Sequence, residues 1–176
     1  MILKTLAKAV RFKRAEDGNV TLEFVLLFPS LLLFVVGAME YAFVTMQQSM
    51  LERSVDLVVR DIRLGTGKEL THDQIKKSIC DRALMVNDCN QNLRLEMRVQ
   101  NAYAGIDLPA QPDCTDNSEE VKPVRRFKNG QANDLMILRA CAKVDPLLRT
   151  TQMRRALVDE TGQITLTATT AFVQEP

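Results

Sequence analysis

The chain has 176 residues, with Lys+Arg 23 against Asp+Glu 22 for a formal net charge of +1. That length suits one modest domain, and the near-neutral balance supplies neither the positive field that favours nucleic acid nor the acidic excess of a disordered chain. Apolar residues are unevenly spread: Phe24 to Met39 carry no charge, and most of the chain beyond them is strongly polar. One domain plus a membrane anchor is the division this implies.

The first segment, Met1 to Gly18, holds Lys4, Lys8, Arg11, Lys13 and Arg14 against Glu16 and Asp17. After this basic leader comes an apolar run through Met39, interrupted only by Glu23 near its start and succeeded by Glu40 and further apolar residues to Met46. At about 1.5 Å per residue, roughly twenty helical residues span a bilayer, so a transmembrane helix is expected over 19–46. Basic residues precede the span and none of comparable density comes directly after it, which puts the N-terminus in the cytoplasm and the rest on the exported side. A secretory signal peptide is the rival, but its apolar region is shorter and a small-residue cleavage site lies close behind it. Glu40 reads as an interfacial residue beside Tyr41, and Pro29 as a tolerated place for a kink.

From Met46 onward Met46, Met50, Leu51, Val55, Val58, Val59 and Ile62 recur at three- and four-residue intervals, one amphipathic stripe continuing the membrane helix. The helix should end near Leu64, where Gly65-Thr66-Gly67 offers left-handed backbone. Thr71-His72-Asp73-Gln74 has capping-box spacing, which predicts a second helix from about His72 to Val86. His72 reads as a surface neighbour of that cap, with no second histidine or cysteine at ligand spacing.

Beyond Cys89 the period becomes two: Leu93, Leu95, Met97 and Val99 alternate with Arg94, Glu96, Arg98 and Gln100, a strand with one buried face. Leu135 to Val144 is a more apolar strand suited to a central place, and threonine-rich Ile164 to Phe172 a half-exposed one. A long excursion from about Ala104 to Asn133 separates the first two strands, and a shorter segment with Pro146 and a helical turn through Met153 separates the last two. The basic cluster Lys122, Arg125, Arg126, Lys128 in the excursion reads as a solvated face.

Cys80, Cys89, Cys114 and Cys141 all lie beyond the apolar segment, and an even set on the exported side reads as two disulfides. Reduced buried thiols are the alternative, and zinc is disfavoured because no pair has Cys-x-x-Cys spacing and His72 is the single histidine. Four cysteines permit three pairings. Cys80–Cys89 is favoured because the Asn87-Asp88 turn can bring the two close, and Cys114–Cys141 because it would pin the excursion to a strand. No phosphate loop, nucleophile elbow or His-Glu-x-x-His motif occurs, so neither an enzyme nor a cofactor is expected.

Gly18-Asn19-Val20-Thr21-Leu22-Glu23-Phe24 carries the most specific signal. A glycine after a basic leader, a glutamate at the fifth position beyond it inside an apolar helix, and an aromatic next to that glutamate resemble the processing site of type IV prepilins. The Glu-Phe pair is similar to that of TadE-like proteins of the tight-adherence (Tad/Flp) branch. The order of elements and the terminal Gln174-Glu175-Pro176 also resemble that family, whose chains often end in Asn-Glu-Pro; glutamine in place of asparagine is a departure.

The resemblance implies a pilin-like α+β fold: a long N-terminal helix packed on a small, mostly antiparallel sheet with a second helix. It implies a leader at 1–18, a transmembrane helix at 19–46 and a periplasmic domain at 47–176, anchored in a bacterial inner membrane. It further implies cleavage by a prepilin peptidase between Gly18 and Asn19, and a Glu23 that faces the freed amino terminus of a neighbouring subunit. Other pilin and pseudopilin subunits and the inner-membrane assembly platform would be the partners, and initiation, priming or capping of the pilus the role. Read without the resemblance, Glu23 is an acid at a helix N-terminus favourable to the dipole. The chain is then an unprocessed, membrane-anchored periplasmic binding or sensing domain.

Overall fold

A carboxyl-bearing but otherwise apolar run with no glycine before Gly37 favours unbroken helix, and the computed structural model has one helix, α1, over Asn19–Leu64. The structure describes residues 19–64, 70–101, 103–105, 108–109, 112, 114, 127–147 and 158–175. Helical structure continues through Pro29, so the missing N–H does not end it. Among the described residues α1 is the helix long and apolar enough to cross a membrane, with a best mean hydropathy of 2.3. The chain divides into two compact units, Met1–Met39 and Glu40–Pro176.

In the second unit, α2 (His72–Cys80) starts at the expected capping box. The Gln74 N–H donates to Thr71 Oγ1 at 3.4 Å, and the Thr71 N–H donates to Gln74 Oε1 at 3.0 Å. This helix stops six residues short of the expected Val86. Tight turns come next, with Arg82 N–H donating to the Ile79 carbonyl and Val86 N–H to that of Ala83. Turning early lets Cys80 bond to Cys89, with Cα atoms 5.5 Å apart, while Ala83 and Val86 stay buried. Asp88 takes a left-handed φ of 49° where the chain reverses, leading into a short α3 (Cys89–Asn92).

Three strands, β1 (Arg94–Gln100), β2 (Leu135–Val144) and β3 (Ile164–Val173), form an antiparallel sheet in the order β1-β2-β3. The fold is therefore α+β, with the apolar Leu135 to Val144 run at the centre as its composition requires. Register sets Leu95 opposite Ala140, Met97 opposite Leu138, and Ala142 opposite Leu166. These side chains share one face and join Leu51, Val55, Val58, Val59 and Ile62 of α1 and Ile75 and Ile79 of α2 in one core. Alanines at 140, 142 and 168 leave room on that face for the larger side chains of the helices.

Met46 and Met50 depart from the expected stripe: Met46 is exposed and Met50 half-buried. At 100° per residue they lie well round the helix from Leu51 and Val55, so the apolar positions belong to two faces and not to one.

Candidate functional site

The residues that carry the processing motif fall at the start of α1. Gly18 lies outside the described residues, and Asn19 is the first residue of the helix. Glu23 and Phe24 are both exposed, one turn into α1. Phe24 stacks on Phe28 with ring centroids 5.0 Å apart, as the i, i+4 spacing allows. Val20, Leu26 and Leu27, three and four residues away, neighbour Glu23 on the helix surface, leaving its carboxylate among apolar side chains. A charge at the centre of a membrane helix costs about 2.5 to 3.5 kcal/mol by insertion scales and less toward the ends, so in lipid Glu23 would be favoured beside a positive charge.

The second unit is held by polar contacts whose partners lie far apart in the sequence. Glu40 is only 5% exposed, and its Oε1 accepts the Leu147 N–H at 2.8 Å. It is thus a buried acceptor as well as a residue beside Tyr41 where the apolar run ends, and it lies on the face of α1 that also presents Leu51, Val55 and Val58. Gln47, equally buried, donates to the Met85 carbonyl at 2.9 Å. Gln48 donates to the Thr167 carbonyl at 2.8 Å and accepts the Thr167 N–H at 3.3 Å, so its amide pairs with β3 as a neighbouring strand would. A helical wheel that included polar residues could have flagged these three, because they share the apolar face.

The sheet's other face is withdrawn from water over β2 and partly over β1, while β3 leaves Thr165, Thr169, Ala171 and Val173 exposed there. Arg139, expected as part of an apolar strand, is 5% exposed and sits opposite Glu96. Its Nε and Nη2 donate to Glu96 Oε2 at 3.2 and 2.5 Å, and its Nη1 donates to the Pro109 carbonyl at 2.8 Å. Arg98 pairs with the other Glu96 oxygen. Burial pushes the Glu96 carboxyl up, but hydrogen bonds and charge from Arg139 and Arg98 outweigh it and hold the group below its ordinary value. Two residues along β2, Cys141 bonds to Cys114 with Cα atoms 5.4 Å apart. The excursion is thus attached to the outer face at Pro109 and at Cys114.

His72 packs edge-on against Phe127 at 5.5 Å and contacts Asp73 through Nδ1 at 2.9 Å, so it is part of the packing rather than a surface residue. Phe127 forms a bridge to Met97 on the outer edge of β1. Lys122, Arg125, Arg126 and Met153 lie outside the described residues. Asp159 gathers the Thr161 hydroxyl at 2.6 Å, the Thr161 and Gln163 N–H groups at 3.0 and 3.1 Å, and Lys143 Nζ at 3.0 Å. Burial raises its carboxyl, and these donors more than offset that, bringing it down to about 2. Among the described residues no three His, Cys, Asp or Glu side chains are grouped to hold a metal ion.

No curated protein and no solved structure matches the chain. Residues 18–60, which include the glycine, the Glu-Phe pair and most of α1, match the family model described as TadE-like protein. That family is pilus-associated and structural rather than enzymatic, and over this segment the chain is similar to TadE-like proteins, consistent with a place in a Tad pilus system.

Proposed function

We propose that the chain is a minor pseudopilin that takes part in assembly of a Tad/Flp pilus, by initiating, priming or capping it. A prepilin peptidase removes residues 1–18 by cutting after Gly18, leaving Asn19 as the new amino terminus. The apolar part of the helix that precedes Glu40 spans the inner membrane, and the chain from Glu40 onward forms the periplasmic domain in which the disulfides persist.

The observation that supports this most directly is Glu23: a carboxylate exposed on an apolar helix, next to Phe24, inside the segment that matches the family model. In a bundle of such helices the freed amino terminus of a neighbour offers the positive charge that Glu23 needs, and pairing offsets part of the cost of both charges in lipid. Other pilin-like subunits, the peptidase and the assembly platform are the partners this requires.

The test is a Gly18→Val substitution in cells with and without the prepilin peptidase. The substitution should leave the full-length chain in the membrane, whereas the wild type should begin at Asn19 only when the peptidase is present. Glu23→Gln should still be cleaved but should impair pilus assembly. An identical N-terminus in all four samples would overturn the reading and favour an unprocessed, membrane-anchored binding or sensing domain.

A further inference from the structure

The residue that ends the apolar run of α1 is bonded to a distant part of the chain. Residues 20–39, roughly twenty residues and about 30 Å of helix, match the hydrocarbon core of a bilayer, and Glu40 follows directly. Headgroups add about 5 to 7.5 Å on each side, which α1 crosses within about five residues. Glu40 Oε1 accepts the Leu147 N–H at 2.8 Å. Side chains lean towards the N-terminus of their helix, so the Glu40 carboxylate is directed back towards the membrane and holds the Leu147 amide at that level. Pro146 beside it is buried, yet Leu147 keeps 58% of its surface exposed, and Tyr41 keeps 63%.

We infer that the bend at 145–147 docks on the periplasmic surface of the bilayer, with Glu40 as its tether and the Leu147 side chain among the lipid headgroups. The inference rests on the proposed membrane span, from which the chain emerges at Glu40. Around a single-span helix that level is occupied by lipid, which takes up an exposed leucine and tyrosine as water does not. The ten residues that follow, 148–157, carry Arg149, Arg154 and Arg155 and no acid, a charge complementary to lipid phosphate. A second copy of this chain, docked through the same bend, would bring that charge against itself.

The chain has no tryptophan, so a single one introduced by substitution reports on one place. The full chain with Leu147→Trp is reconstituted into vesicles of phosphatidylcholine and phosphatidylglycerol brominated near the top of their acyl chains. Its fluorescence should fall by about half relative to unbrominated vesicles. Leu84→Trp is the control: Leu84 is 82% exposed, and neighbouring Met85 is tied to Gln47, about 10.5 Å further along α1 and beyond the headgroup layer. It should not be quenched. Adding Glu40→Leu to the Leu147→Trp chain removes the acceptor and should abolish most of the quenching. Non-reducing electrophoresis establishes that each variant still forms both disulfides. Quenching no greater than for Leu84→Trp, quenching that Glu40→Leu leaves unchanged, or blue-shifted but unquenched emission, the mark of cover by a second copy, would each overturn the inference. Leu32→Trp, inside the apolar run, is read in parallel in vesicles brominated deep in the acyl chains. Quenching there with any of those results refutes the docking alone, while its absence refutes the membrane span.

Discussion

Replacing Arg139 with alanine removes the donors that Glu96 and the Pro109 carbonyl share, and the structure fixes how much that should cost. An exposed ion pair contributes about 0 to 1 kcal/mol, but breaking a buried one costs about 3 to 5 because the remaining charge stays out of water. Glu96 keeps Arg98 and its side chain is 15% exposed, so the lower end applies, about 3 kcal/mol. The direction of the shift sets the sign with pH. A carboxyl held below its ordinary 4.5 adds stability above that pH and loses it as the pH falls through the folded value. The cost of Arg139→Ala should therefore be full at pH 7 and shrink below about pH 4.5. Urea unfolding of the detergent-solubilised full chain, monitored by circular dichroism, measures it. The double variant Glu96→Leu, Arg139→Leu should recover part of the loss, because no charge is then left buried without its main partner. A single variant within about 0.5 kcal/mol of wild type, or one whose cost does not change with pH, would refute the reasoning.

The disulfides give a second test. Cys114→Ala with Cys141→Ala opens a separation of 27 residues and should cost about 3.5 kcal/mol, against about 2.6 for Cys80→Ala with Cys89→Ala across 9. Unfolding midpoints in that order, and peptide maps without reduction that join the same pairs, are the expected results; four alkylatable thiols would contradict both. Asp159→Asn should lower stability by about 1 to 2 kcal/mol at pH 7, allowing for screening at a partly exposed group. Because its carboxyl is depressed, that difference should close between pH 3.8 and about 2, which unfolding at stepped pH would show. A difference that persisted below pH 2 would assign the effect to the shape of the turn instead of the charge.

Local patterns in the sequence were enough for the elements themselves. The uninterrupted apolar run and the glycines after Leu64 set the span of α1, Thr71 and Gln74 set the start of α2, and period-two alternation set β1, because each depends on neighbours a few positions away. The Gly-x-x-x-x-Glu-Phe motif was legible for the same reason. Tertiary structure decided what depends on distant partners. Glu40 and Leu147 are 107 residues apart, Gln48 and Thr167 are 119 apart, and Glu96 and Arg139 are 43 apart, so composition alone could assign none of their burial. The end of α2 was set by Cys80 having to meet Cys89, not by a breaker residue, and among three possible pairings the fold brings together the cysteines whose elements pack. The sheet also decided which of two apolar rows on α1 is core: Leu51, Val55, Val58 and Ile62 face it, and Met46, Leu57 and Leu64 are left outside because a helix can turn only one face to a single sheet.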